Sequence, residues 1–230
     1  VLFSPASGRP YITLARQFAE VAEGMVFIAE NGTYVVRDGV ELSSDVLDRS
    51  VVADLARTVR RLVADGVDMG IVVSGKRSAY VERTDEAFLA EVREYYVEHR
   101  IVEDVTAVED DVIKVALFDF GSAEHTTAPA LQAFAATHHV VVSGEHWVDV
   151  INRSANKGAA LRGLQRELGI TPAQTMVFGD YLNDLEMLDA ADWSFAMSNA
   201  HPEVVRRARH LAPSNNENGV LRTIAHVLGL

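Results

Sequence analysis

The sequence predicts an α/β fold, a parallel sheet covered by helices, with a separate α+β segment in the middle of the chain. Three observations predict it. Short apolar, β-branched runs alternate with stretches of helical periodicity through much of the 230 residues, and repeated strand–helix units imply parallel strands. The middle third is richer in extended runs separated by turns than in strand–helix units. The last third returns to regular alternation, bounded by Gly, Pro and Asp signals.

Residues 1–3 form an apolar run with the look of a buried strand, and the turn-rich Ser4-Pro5-Ala6-Ser7-Gly8-Arg9-Pro10 follows. Residues 11–23 place Ile12, Leu14, Ala15, Phe18, Ala19 and Val21 at helical spacing. Residues 25–29 read as a short strand closed by Asn31-Gly32, and 34–36 with 40–42 as a hairpin around Arg37-Asp38-Gly39. A long helix over 46–64 leads to a β-branched strand at 67–74, a helix at 85–97 and a strand at 112–120. Pro129 opens a helix over 129–137, and 140–143 with 147–151 form a strand pair. A helix over 158–168 stops at Gly169, and the strand 175–178 runs into Gly179-Asp180 and a helix through Leu188. Strand 193–197, helix 202–207, strand 210–212 and helix 219–228 follow.

With 33 Asp and Glu against 21 Lys and Arg, the formal charge is −12. That charge provides no broad basic face for nucleic acid, although a divalent cation can supply the positive charge a phosphorylated substrate needs. The 48% hydrophobic content excludes a disordered chain, and no apolar run is long enough to span a bilayer. Cysteine is absent, which excludes a disulfide framework, a thiolate nucleophile and Cys-ligated zinc. No basic stretch followed by an apolar one opens the sequence. The expectation is a cytoplasmic protein, monomer or homodimer, with neither a membrane nor a nucleic acid as partner.

The most informative segment is Val177-Phe178-Gly179-Asp180-Tyr181-Leu182-Asn183-Asp184. Ligands of parallel α/β sheets bind at the carboxyl ends of strands, which is where Asp180 falls. Asp184 lies four residues on, on the same face of the following helix. Carboxylates with an amide oxygen suit a hard cation such as Mg²⁺. The competing reading, a helix cap and dipole partner, fits one Asp; it does not account for Gly-Asp-x-x-Asn-Asp after a buried strand. Lys157 alone reads as a solvated lysine, but it precedes the Gly-Asp unit by one strand–helix step, where an ammonium can hold a phosphate oxygen. Ser7-Gly8-Arg9 offers a hydroxyl and a glycine amide at a strand-to-helix turn, an anion site or plain turn chemistry.

These segments, in this order, resemble the haloacid dehalogenase-like phosphatase superfamily, and within it the Cof-type subgroup of sugar-phosphate and cofactor phosphatases. Ser7-Gly8-Arg9-Pro10 fits the second family motif, Lys157-Gly158 the third, and Gly179-Asp180 with Asn183-Asp184 the fourth. Asn31-Gly32 and Asn218-Gly219-Val220 match further turns of the subgroup. The resemblance implies a Rossmann-like parallel-sheet core from residues 1–45 and 151–230, with 46–150 as an inserted α+β cap that selects the substrate. It implies a Mg²⁺-dependent phosphatase of a small phosphorylated metabolite, working through an aspartyl-phosphate. Lys157, Asp180 and Asp184 would be catalytic, with Asp180 and Asp184 at the metal. Ser7, Gly8, Arg9, Lys157 and Asn183 would bind the phosphate. The first family motif, Asp-x-Asp-Gly-Thr, supplies the nucleophile; no Asp-x-Asp occurs in the sequence, and the expectation places it upstream of Val1. Without it, the alternative is a non-catalytic phosphate-ligand binder on the same fold; a phosphomutase is the enzymatic rival. Asp119-Phe120-Gly121 reads as a strand ending in a turn, and 70–77 as a strand rather than a phosphate-binding loop.

Overall fold

The run Val112–Asp119 is buried along its whole length, as a central strand covered on both faces must be. It is the spine of the larger of three sheets in the computed structural model, which describes residues Val1 to Leu230. In chain order the strands are β1 (Val26–Ala29), β2 (Tyr34–Arg37), β3 (Val40–Ser44), β4 (Met69–Gly75), β5 (Ala79–Val81), β6 (His99–Ile101), β7 (Val112–Asp119), β8 (His138–Val142), β9 (Trp147–Asn152), β10 (Met176–Gly179), β11 (Trp193–Met197) and β12 (His210–Ala212). The helices are α1 (Tyr11–Gln17), α2 (Arg49–Ala64), α3 (Glu86–Tyr95), α4 (Ala128–Ala130), α5 (Lys157–Leu168), α6 (Leu185–Leu188), α7 (Pro202–Arg207) and α8 (Gly219–Leu228).

The chain divides into two compact units, Val1–Ala155 and Asn156–Leu230. In the first, β1, β2 and β3 form an antiparallel meander, and β6-β5-β4-β7-β9-β8 form a mixed sheet that is antiparallel except between β5 and β6. Alternating residues of this sheet feed two cores. Ile71, Val73, Val115, Leu117, Val148 and Val150 pack with α2, whose buried Val52, Leu55, Ala56 and Val59 recur at helical spacing. Val72, Ala116, Phe118 and Trp147 pack with Phe88, Leu89 and Val92 of α3. In the second unit β10, β11 and β12 are parallel neighbours, each followed by a helix, so the chain as a whole is mixed α/β.

Residues 1–45 are fastened to the six-stranded sheet by the buried pair Glu30–Lys114, and Asp45 accepts hydrogen bonds from Asn152 (2.5 Å) and Ser154 (2.6 Å).

Some expectations are corrected locally. Residues 1–3 form no strand and are exposed; only Ala6 bridges Ile28, in parallel. An apolar run becomes a strand only where its amides and carbonyls find a partner. The helix expected at 129–137 is broken into the π-type turn Ala123–Thr127, the short α4 and the 3₁₀ turn Phe134–Ala136. Pro129 lacks the N–H that a continuous helix needs there, and Thr127 donates to Asp119 (2.8 Å), holding the first turn against the end of β7. Strands β5 and β6 escape a reading by pattern because each is three residues long. Asp119 also accepts from the Gly121 amide (2.8 Å), so Asp119-Phe120-Gly121 is a strand ending in a turn, and 69–75 is a strand leading into a hairpin.

The fully buried Leu55 should matter most for this core. Leu55→Ala is expected to cost about 2–5 kcal/mol in urea denaturation. Val63→Ala, on the exposed side of the same helix, should stay within about 0.5 kcal/mol.

Candidate active site

In the C-terminal unit β10 ends at Gly179, and Asp180 follows as an exposed residue at the carboxyl end of the strand. The chain then makes the 3₁₀ turn Leu182–Asp184 and enters α6. Asp184 is buried and both its oxygens are used. Oδ1 accepts from Lys157 Nζ at 2.7 Å; Oδ2 accepts from the amides of Asp180 (3.0 Å) and Tyr181 (3.4 Å). One carboxylate therefore sets the backbone that displays Asp180 and holds the ammonium of a residue 27 positions earlier.

Lys157 opens α5 behind Asn156, whose side chain caps the helix by accepting from Ala159 N (2.7 Å). A cation is disfavoured at a helix N-terminus, so its placement depends on Asp184. Two glycines let these elements close. A Cβ at Gly179 would lie 2.7 Å from Asp184 Cβ, and one at Gly158 would lie 2.1 Å from the Glu186 carbonyl oxygen. The sequence reading weighed Lys157 against a solvated lysine; it is 5% exposed. The Asp180 carboxyl is pushed above its ordinary value, first by partial desolvation and then by the nearby Asp184 charge, while Lys157 opposes the shift. Asn183 lies in the same 3₁₀ turn.

These residues can be tested against a metal. No group of three or more His, Cys, Asp or Glu side chains is arranged to hold one. Mg²⁺, however, is commonly held by one or two carboxylates with waters and substrate phosphate completing the shell. Asp180, exposed at the strand end and destabilised as an anion, fits one such position. Asp184 has its oxygens committed to Lys157 and to two amides.

In the N-terminal unit the Ser7-Gly8-Arg9 turn is tied to β1 and the turn after it. Ser7 N donates to Ile28 O (2.9 Å), Asn31 N to Ser7 O (2.9 Å) and Glu30 N to Arg9 O (3.1 Å). Ser7 Oγ accepts from Arg9 N at 3.1 Å, which leaves its own O–H to donate. Arg9 is exposed.

Sequence reasoning missed the polar group under this turn. Lys114, in the middle of β7, donates to the Gly8 carbonyl (3.0 Å) and lies 2.5 Å from Glu30 Oε2 and 3.8 Å from Asp149 Oδ2. Burial pushes the Glu30 and Asp149 carboxyls up, and Lys114 opposes both shifts. A signal was present. The chain has three lysines, Lys76, Lys114 and Lys157, against 18 arginines, and a lysine inside an apolar strand is out of keeping with its neighbours.

Comparisons with known proteins show the family. A family model described as haloacid dehalogenase-like hydrolase matches residues 1–224. The chain is 35% identical over 234 residues to the 5-amino-6-(5-phospho-D-ribitylamino)uracil phosphatase YbjI of Escherichia coli, covering 99% of this chain and 83% of that protein. It superposes on the crystal structure of SMU.1108c from Streptococcus mutans with a TM-score of 0.88 and 27% identity, covering 100% of this chain and 86% of that one. With the subclass IIB sugar phosphatase BT4131 it shares the fold, at a TM-score of 0.78 and 19% identity over 99% of this chain and 85% of that one. The chain belongs to the haloacid dehalogenase-like hydrolases.

Proposed function

We propose that this hydrolase, a phosphatase of small phosphorylated metabolites, works with Mg²⁺ and through an aspartyl-phosphate. The observation that carries the reading is the Lys157 ammonium, buried and fixed by Asp184 beside the displayed carboxylate of Asp180. The E. coli relative, named for removing phosphate from a phosphoribityl compound, supports a polyol or sugar phosphate as substrate.

The nucleophile of this scheme belongs to an Asp-x-Asp that this sequence does not contain. Its carboxylate attacks phosphorus, the ester P–O bond breaks as the leaving alcohol takes a proton, and water hydrolyses the aspartyl-phosphate. Asp180 would hold Mg²⁺, which supplies charge neutralisation to the phosphoryl oxygens. Lys157 would hold a transferring oxygen; withdrawn from water, its charge acts at a lower local dielectric than a surface lysine's. Asp184 keeps that ammonium in one position. The Ser7 hydroxyl and Gly8 amide would donate to phosphate oxygens, with Arg9 and Asn183 as further phosphate-binding residues.

In this scheme residues 46–150 form the cap that selects the leaving group and excludes water. Its two connections to the remainder of the chain meet at Asp45, which accepts from Asn152 and Ser154.

Lys157→Ala is expected to lower phosphate release by about 10²–10³-fold per folded molecule. It should also cost about 3–5 kcal/mol of stability, because Asp184 is left buried without its cation. Release at the wild-type rate would remove Lys157 from the chemistry. Asp180→Asn keeps shape and removes charge, so Mg²⁺ titration should show weakened affinity with little change in melting temperature; unchanged affinity would overturn the ligand assignment. Asp45→Ala should reduce discrimination between two phosphosugars, read as the ratio of their kcat/KM values. An unaltered ratio would mean that this clasp does not govern the cap.

A further inference from the structure

We propose that Lys114 is a positioning residue for the Ser7-Gly8-Arg9 turn, and that through it the six-stranded sheet governs whether the turn is set to hold phosphate. The inference rests on the reading of that turn as a phosphate site.

Lys114 is 3% exposed, with Val112, Ile113, Val115 and Ala116 as its strand neighbours. An apolar residue would suit such a strand better, since burying an ammonium carries a large desolvation cost. Neutralising Glu30 accounts for one of its contacts. It does not account for the 3.0 Å hydrogen bond to the Gly8 carbonyl. In a trans peptide the C=O and the following N–H point in opposite directions. By holding Gly8 O, Lys114 therefore orients the peptide whose other side is the Arg9 N–H, and that N–H binds Ser7 Oγ at 3.1 Å. The hydroxyl that would meet phosphate is thus set by an ammonium on β7.

The surroundings are built to keep Lys114 in place. Glu30 and Asn31 both adopt left-handed backbone conformations, with φ of 49° and 59°. Such conformations persist in non-glycine residues only where neighbours hold them. Here Ser74 donates to Glu30 Oε1 (2.5 Å), Lys114 pairs with Oε2, and Asn31 Nδ2 donates to Asp149 Oδ2 (3.3 Å). Ser74, Lys114 and Asp149 come from β4, β7 and β9 of one sheet. A shift of that sheet away from the 7–9 turn would release Gly8 O.

Inorganic phosphate binding, measured by calorimetric titration and normalised to folded protein, tests this with three variants. Ser7→Ala reports on the turn itself. Lys114→Met removes the ammonium and destabilises by leaving Glu30 unpaired. The double variant Glu30→Gln with Lys114→Met replaces the ion pair by neutral groups, so melting temperature should recover while phosphate affinity stays about tenfold weaker than wild type. Weakened binding in Ser7→Ala with wild-type binding in the double variant would make Lys114 purely structural and overturn the inference. Unchanged binding in Ser7→Ala would instead overturn the phosphate reading of the turn.

Discussion

The carboxylate of Asp184 is the constraint on which the C-terminal unit depends. It joins the end of β10, the start of α6 and the first residue of α5 through three hydrogen bonds to two oxygens. Ionised groups with little solvent persist only when each lone pair or proton is matched. Lys157 supplies one of its three protons to Asp184, and the two amides complete the set around that carboxylate. The Gly-Asp-x-x-Asn-Asp spacing follows from this geometry. Four residues carry the chain from Asp180 back to where Asp184 can accept from the Asp180 amide, and Gly179 leaves room for it.

The N-terminal unit has a comparable centre in Lys114, assembled from far more distant parts of the sequence. Its bonding partner Gly8 is 106 residues away, whereas Lys157 and Asp184 are 27 apart. It also differs in balance, with one ammonium facing the two carboxylates of Glu30 and Asp149. Desolvation raises both acids, so the cluster favours retaining a proton that the unfolded chain would release at lower pH.

What the sequence made legible follows the range of the interactions concerned. The Gly179–Asp184 segment, the α5 boundaries and α2 were readable because strand exits, caps and 3.6-residue periodicity are local. The family motifs added Lys157, which by itself reads as surface charge. Lys114 was not readable by alternation, because a polar residue in a strand is normally assigned to the solvent face. Its buried partners lie on β1's turn and on β9, a pairing that only the folded sheet creates. The broken segment 123–136 failed for a related reason: alanine-rich composition favours helix, while Pro129 and the Asp119–Thr127 hydrogen bond divide it.

An acidic chain that handles an anion must place its cations with care, and the lysines show how this is done. Nine of the 18 arginines pair with carboxylates, as in Arg60 with Asp104, Arg83 with Asp68, Arg93 with Glu86 and Arg209 with Asp192. Such pairs at the surface contribute little stability. The three lysines are withdrawn instead: Lys114 and Lys157 are buried, and Lys76, 17% exposed at its side chain, bridges Glu41 and Asp111. An ammonium concentrates its charge at one atom, unlike the delocalised guanidinium, and that charge acts more strongly where water is excluded. In the scheme proposed above, Lys157 would thus bring positive charge to one phosphoryl group in a protein of net charge −12 that offers no basic surface to polyanions.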